Sequence, residues 1–551
     1  VALTRLRLAA GVFVLAAGLY LPTLDHAWLN YDDDVYITDN PEQLLGLTPE
    51  GVWWAFTSFH GANWFPLTRL SWALDLELYG LSAAGFHATS LLLHAATAAV
   101  LFLALARLTG SDGASAFVAG VFAAHPLHVE SVAWAAARKD PLSAFFFALA
   151  LWVYARAGRE GPSPRQQAAL FACLALGLLA KPIVASLPAV LLLLDLWPLE
   201  RLRRGGRWHA PGLRRALVEK LPLFALVAGF AVVAFAAQRA GGAVAPTDLL
   251  PLKVRVANAL VSYAVYLRQA FWPSHLAVFY PHPGDTLSTA SVMASGALLA
   301  GITAGAVLRL RRQPYLAVGW LWYGVTLLPV IGLLQVGSQA RADRYMYLPL
   351  VGLALALAFA ARDAFAARRR ALTAAGVAVL AALSVATLFQ LRHWRDSEAL
   401  FRQALRVTER NSVAHAHLGS ALLEQGRVEE TLRHYRRAVE VEPGFLRAVN
   451  NLAWLLATLP DPTLRSPDEA LALARGAAQQ TGQEDPAVLD TLAAAQAAAG
   501  HFAQAAASAE RALALAEARG DAELARQVRG RLALYRAGRP YREPVPRRAT
   551  R

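Results

Sequence analysis

Tyr31-Asp32-Asp33-Asp34 sets three carboxylates side by side. Adjacent negative charges repel, so at least one of them holds its proton more tightly than a lone aspartate unless a cation or metal compensates. A carboxylate tuned in this way beside an acceptor hydroxyl is a general base; without such company the same residues are a solvated acidic turn. Further along come Asn63-Trp64-Phe65-Pro66-Leu67-Thr68-Arg69 and Asp75, the aromatic and polar mixture of helices that rest on a membrane interface. His125-Pro126-Leu127-His128-Val129-Glu130-Ser131 has the residue types either of metal ligands or of groups that orient a substrate or loop. Arg138-Lys139-Asp140 follows, and Lys181 interrupts an apolar stretch from Leu170 to Leu194 that ends on Asp195. An ionisable group in such a stretch is costly, which makes Lys181 a functional candidate or else the marker of a turn between two short helices. Last comes Arg341-Ala342-Asp343-Arg344-Tyr345-Met346-Tyr347-Leu348-Pro349, in which Arg344 suits bidentate phosphate binding.

The elements that must position these residues follow from composition. The chain has 551 residues, of which 56% are hydrophobic and 17% charged, with a mean hydropathy of +0.36. That is too apolar for an ordinary soluble protein. The net charge of +14 would suit nucleic acid, but the basic clusters follow a membrane period, and no basic patch with interleaved aromatics is present. One cysteine, Cys173, excludes an internal disulfide framework and a cysteine-based metal cluster. A membrane-spanning helix needs about 20 apolar residues. Eleven candidate spans lie near 6–24, 86–106, 114–129, 141–155, 166–180, 182–198, 221–238, 287–308, 315–334, 345–361 and 371–391. The first lacks a cleavage pattern after it and is expected to stay as a helix.

Arg5 and Arg7 place the N-terminus in the cytoplasm, and the later clusters then fall at every second loop. Residues 25–85 form a long first outer loop, and 239–286, with the half-apolar segment 254–272, a later one. Ten or twelve spans are the alternatives to eleven. An odd count puts the C-terminal part outside, which in a bacterium is the periplasmic side of the inner membrane.

Domain organisation follows: 1–391 is a membrane domain and 392–551 a soluble one. In the latter Leu418-Gly419, Leu422, Gly426, Tyr435, Ala438 and Pro443 sit at the offsets of a 34-residue tetratricopeptide unit, and Leu452 repeats Leu418. A second copy continues through Ala470, Ala474 and Ala477, and a third through Leu492, Gly500, Ala505, Ala509 and Ala512, with 521–537 as a closing cap. Stacked helix pairs of this kind form an α-solenoid whose concave face binds a peptide or serves as structure.

Carboxylates, cations and aromatics thus converge on the outer face of an all-α bundle. An enzyme could use them on a lipid-phosphate donor, the cations holding the phosphate and a carboxylate taking the acceptor's proton. At these residues the chain resembles the transmembrane and tetratricopeptide-repeat-containing O-mannosyltransferases, a branch of the GT-C superfamily of membrane glycosyltransferases. The resemblance rests on Asp32-Asp33 with Asp39-Asn40-Pro41, Asn63-Trp64-x-Pro66-Leu67-Thr68, Gly85-Phe86-His87 with Leu91-Leu92-Leu93-His94, and His125-Pro126-x-His128-x-Glu130. It continues through Arg138-x-Asp140-x-Leu142, the Lys181 turn and Arg344-Tyr345-x-Tyr347-Leu348-Pro349.

The resemblance implies a GT-C fold, a polyprenyl-phosphate-linked sugar as donor and inverting transfer, without a nucleotide sugar, a cofactor or a metal. It makes Asp32 or Asp33 the base and turns Arg138 and Arg344 toward the donor phosphate. Glu130, Asp140 and Lys181 would order the site, and His125, His128, Tyr345 and Tyr347 complete the expected substrate-binding set. Lys181-Pro182 departs from the Lys-Glu of animal relatives. Three functions follow: transfer of a sugar, mannose in the family, to Ser or Thr of an exported protein held by the repeats; transfer to a lipid or cell-surface glycan; or a membrane-anchored scaffold without catalysis.

Overall fold

The computed structural model describes residues 2–204, 207–240 and 250–544. The chain divides into two compact units, Val1–Leu400 and Phe401–Arg551. Parts of the expected 239–286 loop and the last residues of the soluble domain lie outside the described residues.

The first unit is helical, apart from two-residue antiparallel ladders pairing Arg203–Arg204 with Arg207–Trp208 and Tyr280–Pro281 with Gln339–Arg341. Among the described residues six helices are long and apolar enough to cross a membrane: Ala2–Asp25, Ala83–Thr109, Ala135–Glu160, Ala210–Arg239, Thr289–Leu308 and Ala366–Trp394. Asp112–Ala124 with Pro126–Ala133, bent by 52°, would make a seventh. This corrects the count of eleven. Apolar runs were long enough, but prolines and turns divide them. The 182–198 run becomes Pro182–Ser186 followed by the ten-residue helix Leu187–Leu196. The 315–334 run is helical only over the 14 residues Pro314–Leu327, and the 345–361 run over the 16 residues Pro349–Ala364. At 1.5 Å per residue these helices reach at most about 24 Å, short of a hydrocarbon core of about 30 Å. The helix Leu252–Phe271, which carries Lys253, Arg255 and Arg268, is not among the candidate spans.

Small residues let these helices approach closely. Between Pro314–Leu327 and Pro349–Ala364 a Cβ on Gly319 would meet the carbonyl oxygen of Gly352 at 2.3 Å, and a Cβ on Gly352 would meet that of Gly319 at 2.5 Å. Such contact gains dispersion energy where lipid removes most of the hydrophobic driving force.

The second unit is a succession of helix pairs: Ser412–Glu424 with Val428–Val441, Leu446–Thr458 with Pro467–Gln480, and Pro486–Ala498 with Phe502–Ala518, followed by Ala522–Arg536. Its core holds Tyr435, Ala438, Leu452, Ala470, Ala474, Ala477, Leu492, Ala505, Ala509 and Ala512. A Cβ on Gly419 would lie 2.8 Å from the Tyr435 ring, so that glycine is where an aromatic side chain fits against a neighbouring helix.

The glycine contact sets a first expectation. Gly319→Val should lower stability in detergent by about 1–3 kcal/mol, because its side chain meets fixed backbone. Gly324→Ala, with open space around its Cβ, should leave the melting temperature within a degree or two or raise it. Equal melting of both variants would contradict the close-packed interface.

Candidate active site

The first loop is folded around a buried cation. Arg69 donates to the carbonyls of Ala55, Ser58, His60 and Asn63 at 2.8–3.3 Å, and its guanidinium lies 4.5 Å from the Trp54 ring centre. One side chain thereby satisfies carbonyls at the end of the helix Pro49–Thr57 and in the chain that follows it. Next to it, Thr68 Oγ1 donates to the carbonyl of Ala180 at 3.0 Å, which joins the loop to the turn at Lys181.

Asp32 and Asp33 take different positions. Asp33 is fully buried; its Oδ2 accepts from the Leu29 N–H at 2.9 Å and its Oδ1 from the Ala136 N–H at 2.8 Å. Burial pushes its carboxyl up to about 7, against the opposing pull of those two donors. Asp32 is half-buried and has a left-handed backbone, φ 73°, a conformation that costs a non-glycine residue about 1–2 kcal/mol. Its carbonyl accepts from the Tyr36 N–H at 2.9 Å. The two carboxylates have different surroundings: Asp33 clamps the loop to residue 136, and Asp32 acts electrostatically on Lys139.

Arg138 is also a clamp. It is fully buried and pairs with Asp75 at 2.5 Å. It donates in addition to Ser90 Oγ at 3.3 Å and to the carbonyls of Ser71 and Phe86 at 3.1 and 2.5 Å. With those partners its guanidinium is occupied by the protein and does not open toward a phosphate.

The other predicted residues form two ion pairs and a histidine cluster. Glu130 Oε2 accepts from the backbone N–H of Arg344 at 2.9 Å, and its Oε1 pairs with the Arg344 guanidinium. Asp140 pairs with Lys181 at 2.5 Å, and its second carboxylate oxygen is buried without a hydrogen-bond partner. Tyr347 OH shares a hydrogen bond of 2.6 Å with His94. His125 and His128 bond the carbonyls of Ala270 and Phe122 at 3.1 and 2.8 Å, which makes them supports of the backbone. Tyr345 OH accepts from Gln339 at 3.0 Å, and its ring lies 5.2 Å from the Arg344 guanidinium. Among the described residues no three His, Cys, Asp or Glu are grouped to hold a metal ion.

Lys139 was not singled out by sequence. Its ammonium lies 5.2, 5.4 and 5.9 Å from the rings of Tyr36, Phe65 and Trp134. It forms no ion pair among the described residues, and the charges around it are Asp32, Asp140, Lys181 and Arg344. Arg344 lies 5.5 Å from the same Trp134 ring, so one indole carries two cations. The available signal was the helix period. At about 100° per residue, 138, 139 and 140 cannot share a direction. With Arg138 facing the bundle, Lys139 had to face elsewhere.

The fold and this cluster define an all-α protein with candidate membrane helices and a polar site in which Lys139 lies among Asp32, Asp140, Lys181 and Arg344. In sequence the chain is distantly similar to protein O-mannosyl-transferases over most of its length. It is 26% identical to human Protein O-mannosyl-transferase TMTC1 over 77% of this chain and 54% of that protein. Against human TMTC4 it is 27% identical over 74% of this chain and 62% of the relative, and against human TMTC2 36% identical over 25% and 18%. The chain spans about half the length of the first of these relatives. No family model matches it. Among solved structures, the Archaeoglobus fulgidus oligosaccharyltransferase tethered to an acceptor peptide overlaps 85% of this chain and 68% of its own, at 13% identity and a TM-score of 0.38.

The Asp33 clamp yields a pH-dependent expectation. Its folded-state pKa lies above the ordinary 3.8, so the folded state binds the proton more tightly. That contribution is present below about pH 4 and is lost as pH rises through about 7. Asp33→Asn turns an amide N–H₂ toward a backbone N–H and should cost about 1–3 kcal/mol. The gap in melting temperature between wild type and variant should be widest at about pH 4 and narrow steadily to about pH 8, and a gap that widened with pH would contradict the buried-carboxyl assignment.

Proposed function

We propose that this chain is a membrane glycosyltransferase of the GT-C type, which moves a sugar from a polyprenyl-phosphate donor to Ser or Thr hydroxyls of exported proteins. The observation that carries the reading is the meeting of Asp32, Lys139, Lys181 and Arg344 beside apolar helices, in a chain with distant similarity to protein O-mannosyl-transferases. Mannose is the sugar that this similarity favours. Asp32 accepts the proton of the acceptor hydroxyl as its oxygen attacks the anomeric carbon. The bond from that carbon to the phosphate oxygen breaks, the configuration inverts, and polyprenyl phosphate leaves. Lys139, Lys181 and Arg344 stabilise the charge that develops on the phosphate. Glu130 and Asp140 hold two of these cations in place, while Asp33 and Arg138 act one step removed, by fixing the loop and the turn.

In this reading the N-terminus is cytoplasmic and the catalytic face lies outside, in a bacterial inner membrane. The helix pairs of the second unit are tetratricopeptide repeats that hold the polypeptide acceptor. Arg5 and Arg7 before the first candidate span, the odd count of seven among the described residues when the bent pair crosses as one, and the repeat spacing support these assignments.

With purified protein, a mannosyl polyprenyl phosphate and a Ser/Thr peptide, Asp32→Asn should lose about 10²–10⁴-fold in transfer rate, the size expected for removal of a general base. Lys139→Met should lose about 10-fold or more, and both variants should melt near wild type. Transfer by Asp32→Asn at the wild-type rate would refute its role as base. A periplasm-dependent reporter placed after the second unit should be active, and activity of a cytoplasm-dependent reporter there would overturn the orientation.

A further inference from the structure

In the second unit the helices Leu446–Thr458, Pro486–Ala498 and Ala522–Arg536, the first members of the second and third pairs and the closing helix, line one cleft of about 640 Å³. Its floor carries Asn450, Asn451, Thr491 and Gln527, and Asn450 Oδ1 is buried without a hydrogen-bond partner. One end is a cationic and aromatic slot. Arg531 is buried, is held by Asp490 at 2.6–3.0 Å, and lies 5.1 Å from the Trp454 ring.

The chain's own C-terminal segment occupies this slot. After Arg536 the backbone leaves the helix through Gly538, φ 67°, and runs without secondary structure past Tyr541. The Tyr541 ring lies 5.8 Å from Trp454 and 5.4 Å from the Arg531 guanidinium. Arg542 donates to the carbonyl of Ala457 at 2.9 Å, and the Glu543 N–H donates to that of Thr458 at 2.9 Å. Those two carbonyls belong to the last turn of a helix, where no intrahelical donor remains and the dipole is negative. They are suited to a guanidinium and a main-chain N–H from a second segment.

We propose that this cleft is a binding site for a polypeptide segment in which an aromatic residue precedes a basic one, and that Tyr541-Arg542 of the chain itself is its resident competitor. The aromatic ring enters the Trp454–Arg531 slot, the basic side chain and the following N–H meet the helix end at Ala457 and Thr458, and the amides on the floor remain for the rest of the incoming main chain. The connection from Arg536 is about four residues long, and so short a tether gives an effective concentration in the millimolar range. An incoming segment must displace this tail, so weak partners are turned away and stronger ones admitted.

The proposal rests on the reading of the second unit as an acceptor-holding unit only for the partner's identity. Binding is measured without donor, so loss of transfer and loss of binding are separable. The probe is a dye-labelled Arg-Pro-Tyr-Arg-Glu-Pro peptide added to the full chain in detergent, with fluorescence anisotropy as the readout. Tyr541→Ala should bind it at least about 10-fold more tightly than wild type, because the resident ring has been removed. Trp454→Ala combined with Tyr541→Ala should lose that gain, as should a probe with alanine in place of its tyrosine. Equal affinity of wild type and Tyr541→Ala, absence of binding by Tyr541→Ala, or a gain that survives Trp454→Ala would each overturn the proposal. Melting curves of the three proteins accompany the titrations, and Asn450→Ala in the Tyr541→Ala background is a gentler second probe of the cleft, for which unchanged affinity would also count against it.

Discussion

Two charges withdrawn from water fix the geometry on which the first unit's site depends. Arg138 and Asp75 are buried together, and breaking such a pair by removing one partner costs about 3–5 kcal/mol because the other is left uncompensated. Here the arginine also gathers Ser71 and Asp75 from the helix Pro66–Tyr79 and Phe86 and Ser90 from Ala83–Thr109. Asp33 adds a second tie, from the first loop to Ala136. The turn that begins at Trp134 is therefore held from two sides, and Lys139 and Asp140 project from it with little freedom. Catalysis by pre-organised charge needs that rigidity, since a loosely held cation would have to be ordered during the reaction.

The short helices have the same cause as the site. A turn placed next to an apolar layer exposes backbone groups that lipid cannot satisfy, and it is tolerated only where protein covers it or where it lines a cavity. The helix Pro164–Ala180 stops at Lys181, Asp112–Ala124 stops before the His125–Glu130 stretch, and Pro349–Ala364 begins after Arg344 and Tyr347. Each interruption delivers a polar residue to one cluster. The hydropathy of those runs had suggested full crossings because a window of apolar residues is blind to where its prolines and turns fall.

Much of this arrangement was legible in the sequence. The motifs that carry Asp32, Glu130, Asp140, Lys181 and Arg344 are brought together, and the periodic residues of the C-terminal part do pack as helix pairs. What remained hidden depends on backbone direction or on distant partners. Asp32 and Asp33 are the same residue type in adjacent positions, and no local signal tells that one clamps the loop while the other, with a left-handed backbone, acts on Lys139. Arg138 reads as a phosphate ligand until Asp75 is seen to occupy it, and nothing local announces a partner that far back in the chain. His125 and His128 have the residue types of metal ligands or of groups that orient a substrate or loop, and here one ring nitrogen of each bonds a carbonyl while His125 Nδ1 accepts the Leu127 N–H.

The charges of the site explain why the unpredicted lysine matters. Arg344 and Lys181 are each neutralised in part by an acid, Glu130 and Asp140, which lets them be buried at tolerable cost but also reduces the field they offer to an incoming phosphate. Lys139 is held instead by the faces of Tyr36, Phe65 and Trp134. A ring quadrupole attracts a cation without cancelling its charge. The aromatic cage thus holds an ammonium while leaving its net charge to act on a phosphate, and Asp32 is the acid nearby. One lysine among three rings therefore touches both sides of the proposed reaction: its charge attracts the donor's anion, and it lies within electrostatic reach of Asp32, the acceptor's proposed base.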